Sequence, residues 1–191
     1  NPTSVDALTC SHSEVQDPDA QVVEMNYRWY KNQDLDLEAT ESTFTHIQQD
    51  DVVSCMIEFT ESHTGAIPLQ SSSSEVVIAS SPPIVSNIQF SPSTPTTQTN
   101  ISVTFDLSDP DGDSNLTVDY TWFVNDVQII NEVDVLPTDI SQLSESHFAK
   151  DDTITLEITP KDTQDVGAKN TLNTTIVNTS PSPSSINITP Y

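Results

Sequence analysis

The chain has 191 residues, with 29 acidic side chains against five basic ones, and a formal charge of −24. So dense a negative field excludes nucleic acid and direct membrane insertion and makes metal cations the natural counter-charge. Only 34% of the residues are hydrophobic, but they fall in alternating runs that can offset the entropy of ordering the chain, and none approaches the ~18 residues of a membrane span.

In chain order, period-two alternation predicts strands at Leu8-x-Cys10, Met25-x-Tyr27-x-Trp29, Val53-x-Cys55-x-Ile57-x-Phe59 and Val76-Val77-Ile78. Ser80-Ser81-Pro82-Pro83 then stiffens a boundary. Beyond it come Ile88-x-Phe90-x-Pro92, Ile101-x-Val103-x-Phe105-x-Leu107, Val118-x-Tyr120-x-Trp122-x-Val124, Ile154-x-Leu156-x-Ile158 and residues 172–177. Thr179-Ser180-Pro181-Ser182-Pro183 echoes the boundary and is followed by Ile186-x-Ile188-x-Pro190. No stretch carries a helical period. Strands separated by Asp, Asn, Ser, Pro and Gly turns predict an all-β chain built of β-sandwiches.

The strands repeat. Tyr27-x-Trp29-x-x-Asn32 returns as Tyr120-x-Trp122-x-x-Asn125, 93 positions later, and His46-Ile47-x-x-Asp50-Asp51 returns as His147-Phe148-x-x-Asp151-Asp152 at 101. The second copy therefore holds about eight extra residues between its Trp and its paired aspartates. A tandem array follows: domain 1 over 1–81, domain 2 over 82–181, and residues 182–191 as a linker and the first strand of a following domain, or a donor strand. Asn1-Pro2 aligns with Thr94-Pro95, so domain 1 lacks a first strand of its own. With no basic-plus-apolar leader, the chain reads as an interior segment or a mature product.

Cys10 and Cys55 both lie in apolar strands of the first copy, away from any ligand cluster, which favours a core disulfide over a metal site or two free thiols. In the chain-entropy treatment, closing such a loop stabilises the domain by about 4 kcal/mol. The second copy has Val103 and Leu156 there.

Asp109-Pro-Asp111-Gly-Asp113 offers three carboxylates at alternate positions around a glycine, the pattern with which a short loop wraps a hard cation such as calcium. Tyr120 stands where an EF-hand would need its last acidic ligand, and no helices flank the loop. The same residues equally suit an acidic β-turn that uses Asp, Pro and Gly for their backbone preferences. In the first copy Asp17 and Asp19 remain, while Ala20 and Gln21 replace the Gly and the third Asp. Histidines 12, 46, 63 and 147 are too scattered for a zinc set, and the repeated His46 and His147 read as turn residues. No nucleophile elbow, phosphate loop or His-x-x-x-His pair occurs. The chain is not expected to be an enzyme, and no catalytic or cofactor-binding residue is assigned. Sequons for glycosylation stand at Asn100, Asn115, Asn173, Asn178 and Asn187.

The order Cys10, Trp29, Cys55 on successive strands resembles the immunoglobulin superfamily, where a Trp packs on a bridge between two strands. The Cys10-to-Trp29 interval is longer than in antibody domains, and Val53 and Ile154 occupy the place of their corner Tyr. The acidic loop leading into Tyr-x-Trp-x-x-Asn looks like the PKD-type and related Ig-like repeats of large bacterial and archaeal surface proteins. The resemblance covers almost the whole chain. It implies two tandem Ig-like sandwiches, and it sets the Asp109–Asp113 loop at the same end of domain 2 as the loop bearing Asp162 and Asp165. Asp109, Asp111 and Asp113 with Asp162 or Asp165 then form one composite calcium site facing the Pro82-Pro83 linker. The function it implies is a structural module of an extracellular or cell-surface filament, stalk or surface layer in a prokaryote, with neighbouring copies or further repeats as partners and with Ile186 and Ile188 as assembly residues. The alternative is an adhesin or carbohydrate-binding accessory module that takes surface glycans.

Overall fold

A run such as Val53-x-Cys55-x-Ile57-x-Phe59 sends every second side chain to one face, so it is stable only as a strand with that face buried. The computed structural model describes residues 1–15, 23–61 and 67–181. Among them regular structure is all β, apart from two three-residue 3₁₀ turns at Pro137–Asp139 and Glu145–His147. The chain divides into two compact units, Asn1–Ser81 and Pro82–Tyr191.

Unit 1 contains β1 (Leu8–Thr9), β2 (Val23–Lys31), β3 (Asp34–Asp36), β4 (Thr43–Phe44), β5 (Val52–Glu61), β6 (Leu69–Ser72) and β7 (Val76–Val77). The main sheet runs β3-β2-β5-β6, with β7 also on β5, while β1 pairs β4. β2 and β5 are antiparallel from Val23↔Glu61 to Lys31↔Val53. That register buries Val53, Cys55, Ile57 and Phe59 with Trp29, Phe44 and Ile78. Trp29 stacks on Phe44 with ring centroids 5.1 Å apart. Cys10 and Cys55 form a disulfide, Sγ–Sγ 1.99 Å, that ties the segment after β1 to β5.

Unit 2 contains β8 (Ile84–Ser91), β9 (Ser102–Ser108), β10 (Thr117–Val124), β11 (Val127–Val135), β12 (Thr153–Lys161) and β13 (Asn170–Thr175). A four-stranded antiparallel sheet, β11-β10-β12-β13, and a two-stranded sheet, β8-β9, close on one core. Val118, Tyr120 and Trp122 of β10 and Ile154, Leu156 and Ile158 of β12 form its floor. Phe90 of β8 stacks on Trp122 at 5.6 Å. The two tryptophans are anchored alike: Trp29 Nε1 donates to the Glu41 carbonyl at 2.9 Å and Trp122 Nε1 to that of Ser141 at 3.1 Å.

β11 has no counterpart among the strands expected from alternation. Its pairing with β10 shifts register twice, and each shift moves the apolar residues to the other face. The extra residues of the second copy go largely into this strand, nine residues against three in β3. Both hairpins turn on the repeated asparagine. Asn32-Gln33 (φ 52° and 73°) and Asn125-Asp126 (φ 49° and 66°) have positive φ at both positions, the requirement of a two-residue type I′ turn.

Candidate metal centre

Antiparallel pairing fixes where the acidic loops of unit 2 meet. Thr117, the first residue of β10, lies opposite Lys161, the last of β12, so the loop entering β10 and the loop leaving β12 emerge at one end. One carboxylate oxygen from each of Asp109, Asp113 and Asp162 lies within 4.8 Å of the other two.

Each loop is held by one oxygen of its own aspartate. Asp109 Oδ1 accepts from the amides of Asp111 at 2.7 Å and Asp113 at 3.5 Å. The Gly112 amide closes on the Asp109 carbonyl at 3.2 Å, and Gly112 takes φ 84°, a conformation that a side chain would strain. Asp162 Oδ1 accepts from the amides of Gln164 and Asp165, both at 2.6 Å. The turn chemistry thus uses the Oδ1 atoms. The Oδ2 atoms of Asp109, Asp113 and Asp162 are buried and take no hydrogen bond.

Burial, and then the charges of Asp109, Asp162 and Asp111 in that order, push the Asp113 carboxyl above its ordinary value. The protein's own cations are committed elsewhere. Arg28 pairs with Glu58, Lys31 with Asp51, Lys150 with Asp151, Lys161 with Asp119 and Asp134, and Lys169 with Glu157. The countercharge for the cluster must come from solution or from protons. Oxygens about 2.4 Å from a shared ion stand up to about 4.8 Å apart, so the three carboxylates fit calcium, with water and further oxygens completing six to eight ligands.

Of the five expected ligands, the structure brings together Asp109, Asp113 and Asp162. Asp111 lies near enough for its charge to act on Asp113. The Asp165 carboxylate is not in the converging set; its amide closes the turn around Asp162. Asp17 and Asp19 of the first copy fall outside the described residues, as do Asn187, Ile186 and Ile188. Asn100, Asn115, Asn173 and Asn178 are exposed. His46 and His147 are exposed as well, and His46 lies 4.0 Å from Asp36.

A second constellation carries the repeat and was not singled out as a unit from the sequence. Asn32 Nδ2 donates to Asp51 Oδ1 at 2.7 Å while Asn32 Oδ1 accepts from the Val52 amide. Asn125 does the same with Asp152 at 2.8 Å and with the Thr153 amide. The other aspartate oxygen accepts from the Gln48 amide in unit 1 and the Ala149 amide in unit 2. The signal was available: a polar residue repeated with its partner at matched positions marks a hydrogen-bonded pair as readily as a turn.

No protein-family model matches the chain, and no curated protein matches it. No helix among the described residues is long and apolar enough to cross a membrane.

Proposed function

We propose that this chain is a structural module of an extracellular filament, stalk or surface-layer protein, made of two Ig-like β-sandwich domains in series, the second stiffened by calcium. The observation that carries the cation is the convergence of the Asp109, Asp113 and Asp162 carboxylates, each of which also has a buried Oδ2 with no hydrogen-bond partner and no basic side chain to neutralise it. A cation there would tie the loop before β10 to the loop after β12 and fix one end of the sandwich. The disulfide agrees with an oxidising compartment. Every described Trp, Tyr and Phe is buried or half-buried, which favours a spacer over a module that stacks sugars on exposed rings.

The test is thermal unfolding in calcium and in chelator, with small-angle scattering under both conditions. At free calcium 100-fold above the dissociation constant, unit 2 gains about 2.7 kcal/mol, several degrees in melting temperature for a domain of this size. Asp113→Asn should abolish the calcium response yet raise the melting temperature in chelator, because it removes a carboxylate repelled by its neighbours. Identical melting and scattering with and without calcium would overturn the reading.

A further inference from the structure

β2 is covered fully on one side only. It pairs with β5 without interruption from Val23 to Lys31, but on its other side β3 stops at Trp29↔Asp36. Among the described residues no strand pairs with residues 23–28 on that side. The cause lies inside the repeat. Unit 2 has about eight more residues between its tryptophan and its paired aspartates, and there β11 covers the same edge of β10 as far as Val118↔Val135. Val118, Tyr120 and Thr121 are the counterparts of Met25, Tyr27 and Arg28 at the offset of 93. In unit 1 the chain leaves the sheet after Asp36 and packs Ala39 on the core. Beside the uncovered edge it leaves a cleft of about 440 Å³, with Asn26, Tyr27 and Arg28 on one side and Leu37, Ala39 and Thr40 on the other.

The chemistry of that edge follows from the pairing on its far side. The Asn32 amide donates to the Val52 carbonyl of β5 at 2.8 Å, so even-numbered residues of β2 bond β5, and Met25 and Tyr27 aim their N–H and C=O groups at the uncovered edge. Trp29 is buried, so Glu24, Asn26 and Arg28 stand on the opposite face of the sheet, and all three are exposed. An edge in this state is a template for another strand. It is also complementary to itself. Turned about a two-fold axis through Asn26, Met25 meets Tyr27 and Glu24 meets Arg28, each twice. Met25 and Tyr27 then form the hydrogen-bonded pairs, and Glu24 and Arg28 the non-hydrogen-bonded pairs, in which facing side chains come closest. Sliding the register by one residue sets odd positions against even ones and loses the main-chain bonds. Sliding it by two sets Glu24 or Arg28 against Asn26 and loses both ion pairs. Arg28 already holds Glu58 at 3.0 Å, and its five N–H donors leave enough for a second carboxylate.

We propose that the uncovered edge of β2 is a docking surface for the same edge of a second copy of this chain, the two strands pairing antiparallel over residues 24–28. The contact is isologous and closes as a dimer, joining the two β2 sheets into one. Two chains of charge −24 repel at long range, so the dimer forms where salt screens the distant charges and leaves the contact pairs in force. The pairing uses unit 1 alone and is independent of the cation in unit 2.

The experiment is sedimentation equilibrium of the full chain over a range of concentrations at an ionic strength of about 0.15 M, where the screening length is about 8 Å. A monomer–dimer equilibrium is expected. Glu24→Arg alone and Arg28→Glu alone each set like charges against one another twice and should weaken association at least tenfold. An equimolar mixture of the two variants restores opposite charges at both positions and should recover dimers, now with one copy of each; damage to the fold would not be repaired by mixing. Asn26→Cys, on the axis, should be joined to its partner by a thiol oxidant at least tenfold faster than Gln70→Cys on β6, because Cα atoms facing each other in a non-hydrogen-bonded pair stand about 4.5 Å apart, within reach of a disulfide. A chain that stays monomeric, an association unmoved by either charge reversal, or a mixture no more dimeric than its components would overturn the proposal. Asp113→Asn should abolish the calcium response and leave the dimer in place, so the two readings fail separately.

Discussion

Asp51 and Asp152 each bridge a hairpin turn to the start of the following strand, using one oxygen for an asparagine amide and the other for a main-chain amide. Asp51 is 6% exposed, so removing its carboxylate empties a buried position and takes the acceptor from two partly buried hydrogen bonds. Asp51→Ala should cost about 2–3 kcal/mol in unit 1, and the same change at the less buried Asp152 about 1–2 kcal/mol in unit 2, measured by denaturant melts of the two transitions. The carboxyl of Asp152 is held below its ordinary value by the Asn125 amide first and the Ala149 amide second, so its stabilisation is present above the ordinary carboxylate value and is lost as pH falls through the lowered one. Asp113 has the opposite sign. With its value raised, the folded chain binds the proton more readily than the unfolded chain, and that contribution is complete below the ordinary value and lost as pH rises through the raised one. In chelator, acidification from neutrality should therefore first strengthen unit 2 and then weaken it. In calcium the initial gain should vanish, because the cation already holds the ionised form.

At the scale of elements, Gly167 shows how closely the loop after β12 is seated. A Cβ there would lie 2.0 Å from the Pro83 carbonyl oxygen and 2.7 Å from Pro160 Cγ. The Gly167 amide also donates to the Pro160 carbonyl at 2.8 Å. Gly167→Ala must displace main chain, so we expect a loss of about 1–3 kcal/mol in unit 2 and weaker calcium binding, since the same loop carries Asp162; calorimetry on the variant reads both. Strands that bury one face without interruption, such as β5, β10 and β12, were legible in the sequence because burial imposes period two. β11 was not, because its bulges break that period, and β3 and β6 were not, because half their side chains or more face water. Asp109 and Asp113 were legible as a pattern around Gly112, and Asp162 entered through the resemblance that set its loop at the same end. Which of them share an ion's volume was not, because that depends on the pairing of Thr117 with Lys161, set by strands far from both loops. Asp165 illustrates the limit: its spacing suits a ligand, yet its amide, not its carboxylate, is what the turn employs.

For the whole molecule, charge is the dominant constraint. Five basic side chains, each already within ion-pair distance of a carboxylate, leave most of 29 acids without a basic partner, so the folded chain resists its own field and benefits from small counter-ions.

The disulfide of unit 1 has a mechanical consequence. Under tension applied at the ends of that unit, force passes from Cys10 directly to Cys55, a sequence separation of 45, and the residues between them carry no load. On rupture, only about 35 residues can lengthen, roughly 120 Å at ~3.4 Å per residue, whereas reduction of the bond should raise the step to about 270 Å. Unit 2, with Val103 and Leu156 at the matching positions, has no such limit. Force spectroscopy on the intact chain should therefore record one short step and one long one, with only the short step changing when reductant is added. Two modules of one design would then serve a tethered surface differently, one as a leash that gives little and the other as a reserve of length that is released whole.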